Sequence, residues 1–428
     1  MCHDGIVPTV DRAYFPRRIT EVIARRLAEE PVLVLTGPRT VGKSTLLHEV
    51  AVGSGRDVID LDDLDVRSAV AGDPTLFASG PAPVLIDEYQ KVPELLDAIK
   101  AELGRGLTPG RYVLAGSTRY ETLPRAAQSL TGRAHVMTVY PLSQGEIQGV
   151  TETFVEQLLE DPRQLPDTRV SRSSREDYIA RVVAGGLPIA LQRQGAARTR
   201  WFADYVNLVC ERDVLEISRV QQRSLLPRLL ARFAGQTASL LNVAGAARAI
   251  NIEARTAENY TKLLEAVFLI HRLPAWGTTM GPKAGATPKV HIIDSGLAAH
   301  LMRLSQAKLN TRTPAALAEF GHLLETFAVS ELLKQVSWLD DVVTAGHWRT
   351  RDGVEVDLVL ERSDGGVVGI EIKAGSRVQA PDARHLAALA DRLGDAWLGG
   401  VVLYTGSRAF TIDEPRGIHV LPLDRLWT

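Results

Sequence analysis

The sequence predicts an α/β protein in which two α/β units are joined through a mostly helical middle. Residues 1 to 145 alternate short apolar runs with helical stretches, the pattern of a parallel sheet covered by crossover helices. Residues from 176 to about 270 keep a helical period with few strand signals, and the region from 301 returns to strand-like alternation after a helical start. At 428 residues the chain is long enough for two to three domains of about 150 residues, each able to bury a core.

Composition narrows the class. The apolar and charged fractions are ordinary for a globular chain, and no apolar run approaches the roughly 20 residues of a membrane-spanning helix. No membrane partner is expected. Met1 to Gly5 lack the basic start and apolar stretch of a secretory signal, and Cys2 and Cys210 cannot build a disulfide framework, so a reducing cytoplasm is the expected compartment. Net charge is -2, yet Ser171 to Arg272 holds 15 Lys and Arg against 9 Asp and Glu. That excess suits either a solvated helical surface or one that meets nucleic acid. Only 9 of the 49 cations are lysine, so a lysine inside a motif is less accidental than an arginine.

In chain order, the first clear strand is Val32–Leu35, with further strands at Val84–Ile86 and Tyr112–Ala115, each short, apolar and followed by polar turn residues. Thr151–Arg175 is polar and contains proline, and reads as a linker. In the middle, Trp201, Phe202, Tyr205, Leu208 and Val209 define one apolar helical face. Strand signals resume at Val267–Ile270 and Val290–Ile293, helices run to about Gln335, and alternating strands run to Thr405. The expected domains are 1–150, a linker at 151–175, 176–300 and 301–428.

Gly37-Pro38-Arg39-Thr40-Val41-Gly42-Lys43-Ser44, followed by Thr45, fits G-x-x-x-x-G-K-[ST] at every fixed position, directly after a strand and before a helical run. Glycines let backbone N–H groups curl around phosphates, and the helix N-terminus favours negative charge. Lys43 would reach the terminal phosphates of ATP, and Ser44 would ligate Mg²⁺. Val84-Leu-Ile-Asp87-Glu88 is an apolar strand ending in two acids. Asp87 would hold the Mg²⁺ shell, and Glu88 would orient or deprotonate the attacking water. A neighbouring strand ends in Ser117 and Thr118, hydroxyls able to contact the γ-phosphate or the water.

These motifs, with Leu85-Ile-Asp-Glu-Tyr-Gln-Lys-Val-Pro93, Leu130-Thr-Gly-Arg133 and Tyr140-Pro-Leu-Ser143, resemble the prokaryotic AAA-type P-loop ATPases that carry a C-terminal domain of unknown function, over nearly the whole chain. The resemblance implies a P-loop NTPase sheet and places Ser117 at the position called sensor 1. It makes Arg133 a candidate γ-phosphate or inter-subunit arginine and suggests a homo-oligomer.

Leu241–Ile250 and Ala257–Ala266 are two helical segments joined by a short turn and followed by a strand, which resembles a winged helix-turn-helix. Its second helix would offer Arg255, Thr256, Asn259 and Lys262 to a DNA groove, or the module would only pack between domains.

The C-terminal unit holds a second constellation. Gly353–Glu361 alternates with period two, placing Glu355 and Asp357 on one face and Val354, Val356 and Leu358 on the other. Gly369-Ile-Glu371-Ile-Lys373 sets Glu371 and Lys373 together, in a register expected to bury Val356 with Ile372. An Asp followed by Glu-x-Lys on the next strand resembles PD-(D/E)XK nucleases of restriction-endonuclease-like fold, in which Asp357 and Glu371 would chelate Mg²⁺, Lys373 would position the attacking hydroxide, and Glu325 on the preceding helix would complete the metal site. The residue before Asp357 is Val356, not the proline of that pattern. Two functional readings stand: an ATPase coupled to a nucleic-acid-associated, Mg-dependent nuclease-like domain, or an ATP-dependent switch or scaffold that binds DNA or a protein without cleaving it.

Overall fold

The structure, a computed structural model, describes residues 14–119, 130–214, 218, 224–277 and 287–428. Val32–Thr36 (β1), Val58–Asp60 (β2), Val84–Asp87 (β3), Tyr112–Gly116 (β4) and Ala134–Thr138 (β5) form one parallel sheet in the order β2-β3-β4-β1-β5. Every residue of β1, β3 and β4 is buried. Leu33 and Leu35 enter one apolar cluster while Val32 and Val34 enter another, so both faces are covered, among others by helices Lys43–Ser54 (α1) and Glu94–Arg105 (α2). Because β4 lies between β1 and β3, the C-terminal ends of three strands stand side by side.

Thr151–Arg175, expected as a linker, is packed into the fold. It contains the helix Phe154–Glu160 (α3), whose Phe154, Val155, Leu158 and Leu159 are buried. Val155 N–H donates to Gln335 Oε1 at 3.0 Å, and Ser173 Oγ donates to Asp424 at 2.8 Å. Four apolar residues spaced at helical period outweighed the polar average of the segment.

The middle contains Gly195–Leu208 (α4), Leu225–Ala234 (α5), the short strand Ser239–Leu240 (β6), helices Val243–Ile250 (α6) and Ala254–Ala266 (α7), and strands Ile270–Leu273 (β7) and Lys289–Ile292 (β8). The strands form an antiparallel sheet ordered β6-β8-β7. Val267–Leu269, expected to be strand, is instead a turn in which Phe268 takes φ +57°. Phe202 and Tyr205 on α4 and Val209 just past it are buried as expected and Trp201 is half-buried, but Leu208 is 61% exposed, because 208 falls off the stripe set by 202, 205 and 209.

The C-terminal unit begins with Pro314–Val336 (α8), capped by the Thr313 hydroxyl and started by proline at its first position. A six-stranded mixed sheet follows, made of Thr344–Arg349 (β9), Glu355–Glu361 (β10), Val367–Lys373 (β11), Trp397–Tyr404 (β12), Phe410–Asp413 (β13) and Ile418–Pro422 (β14), in the order β13-β14-β12-β11-β10-β9. Helix Arg384–Leu393 (α9) precedes β12 and packs on β10, β11 and β12. Among the described residues, no helix is long and apolar enough to cross a membrane.

The strict alternation expected along β10 is broken by a bulge. Val356 pairs with Trp348 and Val359 with Gly346, so Asp357 and Leu358 together oppose one residue, His347. Val356 therefore joins the cluster around Trp348 and Leu386, whereas Leu358 and Ile372 join the core beneath α8. The expected joint burial of Val356 with Ile372, and of Val354, Val356 and Leu358 on one face, gives way to this extra residue.

Candidate active site

The phosphate loop leaves β1 at Thr36 and enters α1 at Lys43. Gly37 takes φ +155°, and a Cβ there would stand 2.3 Å from the Val139 carbonyl oxygen, so only glycine lets the loop pass beneath β5's extension. Gly42 takes φ +99° and starts α1 with no side-chain cap, leaving the first N–H groups of that helix to an anion. Arg17 braces the loop from outside, donating to the carbonyls of Val41 at 2.5 Å and Tyr140 at 2.8 Å while pairing with Glu146 at 3.0 Å. Sequence reasoning missed Arg17.

Within the loop, Lys43 is buried and donates to the carbonyls of Gly37 at 2.9 Å and Pro38 at 2.8 Å. Burial lowers its pKa to about 8 against the pull of Glu88 and Asp87. Ser44 and Thr45 are exposed at the start of α1, and the Ser44 hydroxyl stands close enough to Asp87 to favour its charged form. Asp87 itself is buried, and desolvation raises its pKa against the opposing influence of the Ser44 hydroxyl. The Ser44–Asp87 pair is a hydroxyl and a carboxylate converging beside the phosphate loop, a donor set that suits a hard cation such as Mg²⁺.

Glu88 follows β3 with φ +50° and ψ +44°, a left-handed conformation uncommon for a non-glycine residue. Its carboxylate accepts from Ser117 Oγ at 3.2 Å and from Gln90 Nε2, which also lies 3.4 Å from Ser117 Oγ. Gly116 makes this possible, since a Cβ there would stand 2.7 Å from the Tyr89 ring. The structure thus brings Lys43, Ser44, Asp87, Glu88 and Ser117 to the ends of β1, β3 and β4, and adds Gln90. Arg39, Thr40 and Val41 lie in the loop, and Arg39 pairs with Asp213 at 2.7 Å.

Arg133 is not brought to the loop. It precedes β5, whose Ala134 is in register with Val32 at the far end of β1, and it donates to the Lys100 carbonyl at 3.3 Å. Four strand residues, roughly 13 Å, separate that level from Thr36. A γ-phosphate role within one chain is therefore corrected by strand direction.

The C-terminal acids meet a cation of the chain itself. Lys289 of β8 is 1% exposed, and its Nζ lies 2.7 Å from Glu325, 2.6 Å from Glu355 and 3.0 Å from Asp357. The other Asp357 oxygen accepts from the Ile372 N–H at 3.0 Å. Glu371, 2% exposed, is held by Lys373 at 2.8 Å, with His385 of α9 at 3.5 Å. Burial, then the charge of Asp357, raises the Glu371 pKa, and burial and Asp357 raise that of Glu325. Asp357 and Glu371 are thus near one another but engaged by different partners. Among the described residues, no group of three acids, histidines or cysteines is arranged to hold a metal ion. The expected metal set of Glu325, Asp357 and Glu371 is replaced in this arrangement by an ammonium against Glu325, Glu355 and Asp357. Lys289 went unnoticed in the sequence, although its rarity as a lysine was the available signal.

Arg255, Asn259 and Lys262 are exposed on one side of α7, and Thr256 is half-buried.

Residues 29–148, which hold the whole parallel sheet, match the AAA domain family, in agreement with a P-loop α/β fold for that part of the chain. Residues 175–308 and 320–426 match two families described only as domains of unknown function, DUF8612 and DUF4143. Two uncharacterized proteins, from Mycobacterium bovis and Mycobacterium tuberculosis, are each 26% identical to the chain over 412 residues, covering 95% of it and 83% of their own length. Among solved structures, the Walker-type ATPase of Pyrococcus abyssi aligns with a TM-score of 0.37 at 14% identity, over 67% of this chain and 96% of that one. The Thermotoga maritima RuvB Holliday junction branch migration motor aligns with a TM-score of 0.29 at 15% identity, over 61% and 90%.

Proposed function

We propose that the protein binds and hydrolyses ATP with Mg²⁺ and uses the nucleotide cycle as a switch that acts on a nucleic-acid or protein partner without cutting it. The observation that carries the ATPase reading is the convergence of Lys43, the Ser44–Asp87 pair and Glu88 with Ser117 and Gln90 at three adjacent strand ends. The loop's glycines and the α1 N-terminus would cradle the phosphates, and Lys43 would exchange two loop carbonyls for phosphate oxygens. Ser44 and Asp87 would hold Mg²⁺, which when bound neutralises phosphate charge. Glu88, oriented by Ser117 and Gln90, would take the proton of the attacking water.

Binding without cleavage is favoured over a metal-dependent nuclease because the Lys289 ammonium already occupies the space between Glu325, Glu355 and Asp357. The helix and strand order from α5 to β8, with Arg255, Asn259 and Lys262 exposed on α7, supports a winged-helix reading and DNA as the partner. Purified protein should turn over ATP with Mg²⁺. Lys43→Ala should lose ATP binding, while Glu88→Gln should retain binding and lose turnover by about 100-fold or more. Unchanged turnover in both variants sinks the ATPase. Metal-dependent cutting of DNA or RNA that Asp357→Ala abolishes would restore the nuclease reading.

A further inference from the structure

Helix α4 does not stop at Leu208 but passes into a π-helical turn, Val209–Asp213. Such turns are rare and often re-aim a side chain at a functional place. This one carries the buried Asp213 to Arg39 of the phosphate loop, whose Nε lies 2.7 Å from both carboxylate oxygens. Tyr205 on α4 also reaches the loop, donating to the Arg39 carbonyl at 3.4 Å. Lys43 and Glu88 both stand within electrostatic range of Asp213.

A buried aspartate beside a phosphate loop works against anion binding. It repels phosphate and engages one of the loop's two cations, so a pair that opened on nucleotide binding would return that cation to the site. We propose that Asp213 is a positioning residue for the nucleotide site: it holds Arg39 against the middle region until a triphosphate competes for the guanidinium, and the exchange releases the Val209–Asp213 turn. Arginine suits such an exchange, because its planar fork fits a carboxylate and a phosphate equally well. ATP carries a third phosphate, with further charge and acceptor oxygens, one group beyond the end of ADP, and in this proposal it is that group that meets Arg39, so ATP opens the pair and ADP leaves it closed. The nucleotide state would then reach the middle region through α4. This inference rests on the ATP reading above and adds how that site is gated.

The test compares full-length wild type, Asp213→Asn and Asp213→Glu by equilibrium binding of ATP and ADP in Mg²⁺, with melting temperature alongside. Asp213→Asn frees Arg39 for whichever phosphate is present: ATP no longer has to open the pair and should bind about tenfold tighter, ADP should gain less because its phosphates did not outweigh that opening, and the ATP-to-ADP affinity ratio should widen, within the usual range of coupling between sites. Asp213→Glu should restore the wild-type ratio. Independently of any variant, amide hydrogen exchange over 209–213 in the wild type should rise with ATP and stay unchanged with ADP. An Asp213→Asn protein that melts lower but keeps the wild-type ratio overturns the proposal and leaves the pair a brace. ATP-insensitive exchange over 209–213 overturns it too, even if no variant folds. A wild type that binds neither nucleotide overturns this inference together with the ATPase, whereas normal ATP binding with an unmoved ratio or exchange overturns this inference alone.

Discussion

Lys43 and Lys289 are both buried, and each sits at the centre of a charge cluster, yet their environments treat the ammonium in opposite ways. Lys43 donates to two neutral carbonyls of its own loop, so desolvation prevails and its pKa falls to about 8. Lys289 suffers the same desolvation, but Asp357, Glu325 and Glu355 outweigh it and its pKa rises. What differs is the partner. A lysine resting on carbonyls keeps its charge available to an incoming anion, whereas one held by three carboxylates has its charge already matched.

The largest effect that would break this contrast is on stability. Lys289→Met leaves Glu325 and Asp357 facing one another in a buried place, with Glu355 beside them still paired to Arg349, and should cost about 3–5 kcal/mol in chemical denaturation near neutral pH. That cost should shrink at pH 5, since protonation relieves the repulsion. Lys43→Met removes a cation that the fold holds at a cost, so it should leave the unliganded protein within about 1 kcal/mol of wild type or slightly more stable, while ATP binding is lost. Equal destabilisation by both substitutions would remove the distinction.

A smaller effect sharpens the same contrast through pH. The folded-state pKa of Lys43 lies near 8 and its ordinary value is 10.5, so between these the unfolded chain binds a proton that the folded chain lacks. The unliganded protein should therefore gain stability as pH rises from about 8 toward 10.5, and ATP affinity should fall over the same rise as the ammonium is lost. Denaturation and ATP titrations at pH 7, 8 and 9 check both signs, and Lys43→Met should flatten the stability slope. A wild-type slope that survives in Lys43→Met would assign the titration to another group.

The two clusters also differ in how much of each could be read from sequence. Gly37 to Ser44 is contiguous, and its chemistry depends on local backbone shape, so the motif and its strand-to-helix setting were legible together. Asp87 and Glu88 followed because β3 is a short, wholly buried strand whose end is marked by charge. Asp213 was hidden, since its approach depends on a π-turn and on packing across 174 residues. At the C-terminal site the residue types were visible but their partners were not. One bulge at Asp357–Leu358 changes which side chains share a face, and Lys289 arrives from β8, in another region of the chain. The segment 151–175 misled for a simpler reason: its average polarity concealed the spacing of Phe154, Val155, Leu158 and Leu159.

Glu152 offers the smallest test, and it asks whether partner choice sorts buried charges beyond the two lysines. It lies next to Gly145, whose N–H donates to Oε1 at 2.7 Å and where a Cβ would stand 2.1 Å from the carboxyl carbon. Among the described residues, no cation forms an ion pair with it. Burial raises its pKa to about 7, reinforced by the charges of Glu331 and Glu146 and opposed by hydrogen bonds from Ser143 and Gly145. Like Lys43, it is therefore a group whose charge the fold resists. Between its ordinary value of 4.5 and about 7 the folded chain holds a proton that the unfolded chain has released, so this residue's contribution should decline as pH rises through that window. Glu152→Gln keeps an acceptor for the Gly145 N–H and cannot ionise. Its stability should lie within about 0.5 kcal/mol of wild type at pH 5 and exceed wild type at pH 8, as read by paired denaturation curves. A loss at both pH values would mean that the ionised carboxylate is needed, placing Glu152 with the acids around Lys289 instead of with Lys43.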